Sequence, residues 1–270
     1  MNRTGAGPAT VDSLAADLAA LGVAPGMVLL VHSSLGSLGW VCGGAAAVIL
    51  ALEKALGTRG TLVMPAFSGD LSDPAEWRNP PVPASWWQTI RDTMPPYDPD
   101  LTPTRGMGAI AETFRKRAGV LRSAHPQVSF SARGPLAERI IEEHSLDFGL
   151  GEGSPLARIY ALDGRVLLLG VGHDSNTSLH LAEYRASWPG RRELANGAPV
   201  TVGSTRKWVT IRDIESDCSD FEAIGESFAR EQGRLASGRV AEARALLMAQ
   251  RALVDHAVRW MEEHRGRKSG

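Results

Sequence analysis

Apolar positions along this chain recur at two different spacings. From Thr10 to Leu21 they return at helical intervals behind a threonine cap and stop at Gly22, which predicts an amphipathic helix. Met27–Val31 is an uninterrupted apolar run of the kind a buried parallel strand needs, and Leu62–Pro65 and Arg165–Leu169 read as two more strands. Gly44–Leu56, between the first two, carries helix formers at helical spacing. Strand, turn, helix, strand is the order of an α/β fold, so the pattern predicts a layered, mostly parallel sheet flanked by helices. Further helices are predicted near 107–116 and 135–144. His173–Glu183 reads as a loop feeding a helix, and Val240–His264 as a closing helix.

The periodicity breaks between Phe67 and Thr104. Prolines, tryptophans and acids crowd this stretch, among them Asp70, Asp73, Glu76, Trp77, Trp86, Trp87, Asp98 and Asp100. A long segment without apolar period inside a compact chain is usually functional. A second acid-rich stretch runs from Asp213 to Glu222. No repeat, low-complexity tract or compositional break interrupts the rest. The 270 residues read as one domain with an insertion at about 67–104.

Charge narrows the functional classes. Lysine and arginine number 29 against 30 acids, a net charge of -1, so a nucleic-acid partner is not expected. The two cysteines, Cys42 and Cys218, are too few for a disulfide framework. Met1–Ala19 has neither the basic start nor the apolar core of a signal peptide, and no membrane anchor is expected. These features predict a soluble cytoplasmic enzyme.

His180 and Glu183 are the sharpest chemical signal. Spaced i, i+3 on a helix, they share one face, where a carboxylate can fix the imidazole tautomer and stabilise the imidazolium formed on taking a proton. His173 and Asp174 lie just upstream and would complete a metal-ligand set, but HExxH spacing is absent and the acid–base reading, without metal, is preferred. Gly170-Val171-Gly172-His173-Asp174-Ser175 follows a strand yet lacks the third glycine of a dinucleotide fingerprint. No serine stands in a nucleophile-elbow pentad. His32-Ser33-Ser34-Leu35 falls at the carboxyl end of a strand, where open α/β sheets hold ligands, although a tight polar turn fits the same residues.

Several motifs occur in a telling order. They are His32-Ser33-Ser34-Leu35, Met64-Pro65-x-Phe67-Ser68, Pro103-Thr104-Arg105-Gly106-Met107-Gly108 and Arg122-Ser123-x-His125-Pro126-x-x-Ser129. Gly153-Ser154-Pro155 follows, and then Leu167–Val171 leads into Asp174-x-x-Thr177-x-Leu179-His180-x-Ala182-Glu183. Together they resemble the aminoglycoside 3-N-acetyltransferase family, antibiotic acetyltransferases unrelated to the GNAT fold, from about Val11 to Trp260. The resemblance implies acetyl-CoA as cosubstrate, the 3-amino group of a 2-deoxystreptamine aminoglycoside as acceptor, and antibiotic resistance as the outcome. It implies direct transfer in a ternary complex, with His180 as general base, Glu183 as its carboxylate and Asp174 from the same motif. It also implies that His32, Ser33, Ser34 and Leu35, Thr104, Arg105, Gly106, Met107 and Gly108, and Ser123, His125 and Ser129 line the coenzyme. An acyl-CoA-dependent N-acetyltransferase of the same fold acting on another primary amine remains the alternative. A polycationic acceptor calls for local carboxylates, and Asp70, Asp73, Glu76 and Glu222 are the candidates.

Overall fold

Alternation of side chains across buried strands divides this protein into two cores, one on each face of a central sheet. The computed structural model describes residues 7–232 and 235–265. Its first half runs α1 (Val11–Leu21), β1 (Val28–Ser33), α2 (Gly44–Leu56), β2 (Thr61–Pro65), α3 (Trp87–Thr93), α4 (Gly108–Arg115), β3 (Leu121–Arg122), β4 (Phe130–Arg133) and α5 (Ala137–Ile141). It continues with α6 (Pro155–Ala161), β5 (Arg165–Leu169), α7 (Ser178–Arg185), β6 (Glu193–Val202), β7 (Thr205–Ile214), α8 (Phe221–Gln232), β8 (Ala236–Val240), β9 (Ala243–Ala249) and α9 (Gln250–His264).

The seven-stranded sheet has the order β3-β4-β2-β1-β5-β9-β8. The parallel pairing expected across it is confined to the centre, where β1 aligns Leu30 with Val63 of β2 and with Val166 of β5. The outer strands pair antiparallel, and for β3–β4 and β8–β9 the connection is too short to join parallel neighbours. Leu29, Val31, Leu62, Met64, Leu167 and Leu169 face a core closed by α1, α2 and α4. Leu30, Val63, Val166 and Leu168 face the other, closed by residues of α5 to α9 such as Ile140, Leu179, Phe221, Phe228 and Leu253. Each such side chain, taken fully from water, contributes about 1.5–3 kcal/mol.

Local signals account for most boundaries. The Thr10 hydroxyl accepts from the Ser13 amide in a reciprocal capping box, and α1 ends on Gly22 in the left-handed conformation, as its spacing predicts. The expected closing helix is correct only from Gln250 onward. Val240 ends β8, and the Ala- and Leu-rich stretch after it becomes β9, because pairing with β5 and two-sided burial outweigh its helix propensity. The helix expected over 135–144 is only α5, cut short by extended backbone at Glu142 and a left-handed Glu143.

The insertion is neither extended nor loose. It holds α3 and 3₁₀ turns at Pro74–Glu76 and Ala84–Trp86, and it leans on a hairpin, β6–β7, that the apolar pattern did not reveal. The Asp73 amide donates to Asn196 Oδ1 (2.9 Å), the Tyr97 amide to Pro199 O (3.1 Å) and Arg206 Nε to Met94 O (2.7 Å). Insertion and hairpin thus brace each other.

Candidate active site

The parallel strands β1, β2 and β5 end beside one another, and the chain leaves β1 toward β2 on one side but leaves β5 toward β8 and β9 on the other, which makes the gap between β1 and β5 a switch point of the sheet. A cleft of about 590 Å³ opens there. Its walls are the His32–Gly36 turn after β1, Pro65 and Phe67 after β2, Gly106–Ala109 at the start of α4, and Val171, Asp174, Ser175, Thr177 and His180 after β5. Gly106 and Gly108 take positive φ of 73° and 79°, and side chains there would strain the turn that brings α4 to the cleft.

His180 is held by its own helix. Its Nδ1 donates to Glu183 Oε2 at 2.6 Å, the i, i+3 contact the spacing predicts. The other nitrogen, Nε2, is therefore the one left for chemistry, and the Cys218 thiol stands 3.7 Å from it. The ring packs edge-on against Phe221 at 5.0 Å. Burial alone would depress the imidazolium, but the contacts with Cys218 and Glu183 outweigh it and hold the pKa up at about 9. Glu183 is completely buried. Its Oε1 accepts from the Asp217 amide (2.9 Å) and from Arg265 Nη1 (2.7 Å), and these partners with His180 keep its pKa below the usual carboxylate range against the cost of burial.

His32 has the opposite fate. Alternation along β1 turns it toward α7, where its Nε2 lies 3.4 Å from Thr177 Oγ1. Burial and the positive His180 push its pKa down to about 3, so the ring is neutral. Two histidines thus line one cleft in different charge states.

The glycines of the rejected dinucleotide fingerprint have their own purpose. Gly170 turns the chain after β5 with φ of 72°. A Cβ on Gly172 would sit 2.0 Å from Glu222 Oε1, so a side chain there would push the Glu222 carboxylate off this turn. There Glu222 Oε1 accepts the Asp174 amide at 3.1 Å. Asp174 is exposed on the cleft, and its carboxylate accepts from the Ser175 hydroxyl, so it stands at the mouth rather than against His180.

Other expected site residues are placed elsewhere. Ser33, Ser34, Leu35, Gly106, Met107 and Gly108 do line the cleft, although the Ser34 amide is engaged by Leu169 O (3.0 Å). Ser123, His125 and Ser129 do not, because each is at most 1% exposed and bonded inside the protein. Ser123 Oγ pairs with His144 Nδ1 and accepts the Phe130 amide, His125 Nδ1 accepts the amides of Gln127 and Val128, and Ser129 Oγ donates to Ala66 O. Arg122 completes this scaffold by donating to Ala66 O, Pro99 O and Thr102 O, which fixes both ends of the insertion. Thr104 gives its hydroxyl and amide to Glu112 (2.7 and 3.0 Å), a clip on α4 rather than a ligand contact.

The acids of the insertion divide likewise. Asp73 caps the Pro74–Glu76 turn and forms a two-point pair with Arg91 (3.0 and 2.7 Å), which removes it from any ligand. Asp70 pairs with Arg105 at 2.7 Å on the surface. Glu76 and Arg105 line a neighbouring hollow of about 440 Å³, with Trp77 and Asn196, which shares Phe67 and Met107 with the main cleft.

Sequence reasoning missed Cys218, Asp217, Phe221 and Arg265 as parts of this centre. Cys218 and Phe221 lay inside a stretch read only for its acids, and Arg265 carried no motif. Among the described residues, no three of His, Cys, Asp and Glu gather as a metal-ligand group. Among them too, no helix is long and apolar enough to cross a membrane.

Known proteins share both the sequence and this architecture. A family model described as aminoglycoside 3-N-acetyltransferase matches residues 30–262. Aminoglycoside N(3)-acetyltransferase VIII of Streptomyces fradiae is 38% identical over 98% of this chain and 96% of its own. The crystal structure of the YokD protein from Bacillus subtilis superposes with a TM-score of 0.95 at 44% identity, covering 98% of this chain and 97% of that one. A solved structure of AAC-IIIb binary with CoASH gives 0.86 at 33% identity, over 98% and 100%. Agreement of this extent, with the His180–Glu183 pair at the heart of the matched region, makes the chain a member of the aminoglycoside 3-N-acetyltransferase family.

Proposed function

We propose that this protein transfers the acetyl group of acetyl-CoA to the 3-amino group of 2-deoxystreptamine aminoglycosides, and so confers resistance to them. Family membership and the CoASH-bound relative support donor and reaction class. The observation that carries the reading is the His180–Glu183 pair, with Nδ1 locked at 2.6 Å in a residue that lines the cleft.

Both substrates bind together. The acceptor amine presents a proton to His180 Nε2 and attacks the thioester carbonyl, the carbon–sulfur bond breaks, and the imidazolium returns the proton to the departing CoA thiolate. General-base action of this kind is worth about 10²–10⁴ in rate. Holding both reactants in place supplies about 7–11 kcal/mol more of the barrier reduction. Hydroxyls of Ser33 and Thr177, which line the same cleft, are suited to the developing oxyanion. Asp174 and Glu222, exposed at the mouth, offer the carboxylates for the acceptor's remaining ammonium groups, with Glu76 as a further contact in the neighbouring hollow. The bulk of the coenzyme runs past the Gly106-Met107-Gly108 turn.

The test is thiol release from acetyl-CoA across a panel of aminoglycosides, with the acetylated nitrogen located by NMR. Acetylation at N3 is the expected result. Turnover confined to other primary amines overturns the acceptor and leaves the acyltransferase.

A further inference from the structure

Arg265 reaches the catalytic pair from the far end of the chain. Its guanidinium is largely buried, at 9% side-chain exposure. Nη1 donates to Glu183 Oε1 at 2.7 Å, Nε and Nη2 grip Asp220 at 2.8 and 2.7 Å, and Nη2 also donates to the Asp217 carbonyl at 2.7 Å. Its charge lies 4.9 Å from the centroid of the Trp188 ring. One planar fork thus joins α7, the loop that carries Cys218, and the end of α9.

The consequence follows from charge. Glu183 is fully buried, and a buried carboxylate needs a cationic partner in every state of the reaction. His180 supplies one only while protonated. A general base must be neutral before it accepts a proton, and in that half of the cycle His180 leaves Glu183 uncompensated. We propose that Arg265 is a positioning residue that keeps Glu183 ionised while His180 is neutral, and thereby sets the pH at which the base becomes available. The proposal rests on His180 as the base.

The charged and titratable groups facing the pair come from each packed element. They are Cys218 from the loop before α8, His32 from β1, Asp213 from the end of β7 with Tyr184 of α7 bonded to it, and Arg265 with Asp220 from the other side of Glu183. Removing Arg265 leaves the imidazolium as the partner that must hold Glu183, so the neutral ring becomes harder to reach and His180 titrates at higher pH. Removing the Asp220 charge does the reverse, because Arg265 then acts on Glu183 alone.

The experiment follows the His180 imidazole by NMR through pH in the full chain, and the pH profile of kcat/KM beside it. R265Q is expected to move the titration and the rising limb upward by at least about one unit, the usual effect of a charge at this range. One unit is tenfold in the unprotonated fraction, so kcat near pH 7 falls about tenfold, with the acetyl-CoA KM within about twofold. R265K is expected to restore most of the shift, and D220N to move it downward. Titrations unmoved in R265Q and D220N, or moved in the same direction by both, overturn the proposal. If R265Q does not fold, the direction in D220N decides. A wild-type rate in H180Q would instead sink the base reading, and the titration result would stand apart from it.

Discussion

Two acid-rich stretches of similar composition, 67–104 and 213–222, end in different uses. In the insertion the carboxylates act locally: Asp98 accepts the amides of Asp100 and Leu101, Asp73 caps a turn and pairs with Arg91, and Asp70 pairs with Arg105 in solvent. In the second stretch they reach inward. Asp213 accepts from the Tyr184 hydroxyl, the Asp217 amide donates to Glu183, and Asp220 holds the arginine that also holds Glu183. The difference lies in what each stretch packs against. The insertion covers a hairpin and the surface, whereas residues 213–222 lie across α7, where an acid can face a buried histidine. Composition marks where acids are, and burial decides what they do.

The largest effect should come from the buried side. His180→Ala is expected to lower kcat by at least about 10² with the acetyl-CoA KM nearly unchanged, since loss of the base acts in the transition state. Steady-state kinetics with both substrates varied checks it, and an unchanged kcat would erase the contrast between the two stretches.

The pH dependence is the next test. With the His180 pKa held up at about 9, turnover should climb between pH 7 and 9. Stability should run the other way. A pKa raised on folding stabilises fully below the unfolded value of about 6.5, and this contribution is lost as pH rises through about 9. Thermal melts of wild type and His180→Ala across that window should converge at the alkaline end.

Glu222→Gln should raise the acceptor KM roughly tenfold, more at low than at high salt, while sparing acetyl-CoA. Equal effects from Asp70→Asn would restore the insertion as the capture surface. Asp73→Asn should leave both KM values alone and cost about 1–2 kcal/mol of stability, read from denaturant unfolding, because its carboxylate, in a two-point pair, is only one-fifth exposed. Asp70→Asn, an exposed pair, should fall within about 0.5 kcal/mol of wild type in the same experiment.

Local physics made much of this legible. The Thr10 cap, the apolar runs of β1, β2 and β5, and the His180–Glu183 spacing each depend on neighbours within a few residues. The motif around Ser123, His125 and Ser129 shows the limit of such reading. Its polar residues look like ligand contacts, yet they are buried and satisfy one another, and sequence alone does not distinguish a hydroxyl facing a coenzyme from one facing a backbone carbonyl. The β9 segment shows another limit, since its helix-forming residues are strand only because β5 offers a paired edge.

The layered α/β fold and the His180–Glu183 contact could be read along the chain, because strand periodicity and an i, i+3 contact are short-range facts. The tertiary structure decided which acids face the reaction, that His32 stays neutral while His180 holds its proton, and that Arg265 closes the charge around Glu183 from 82 residues away. Those are matters of desolvation and of charge across space, and neither has a period along the chain.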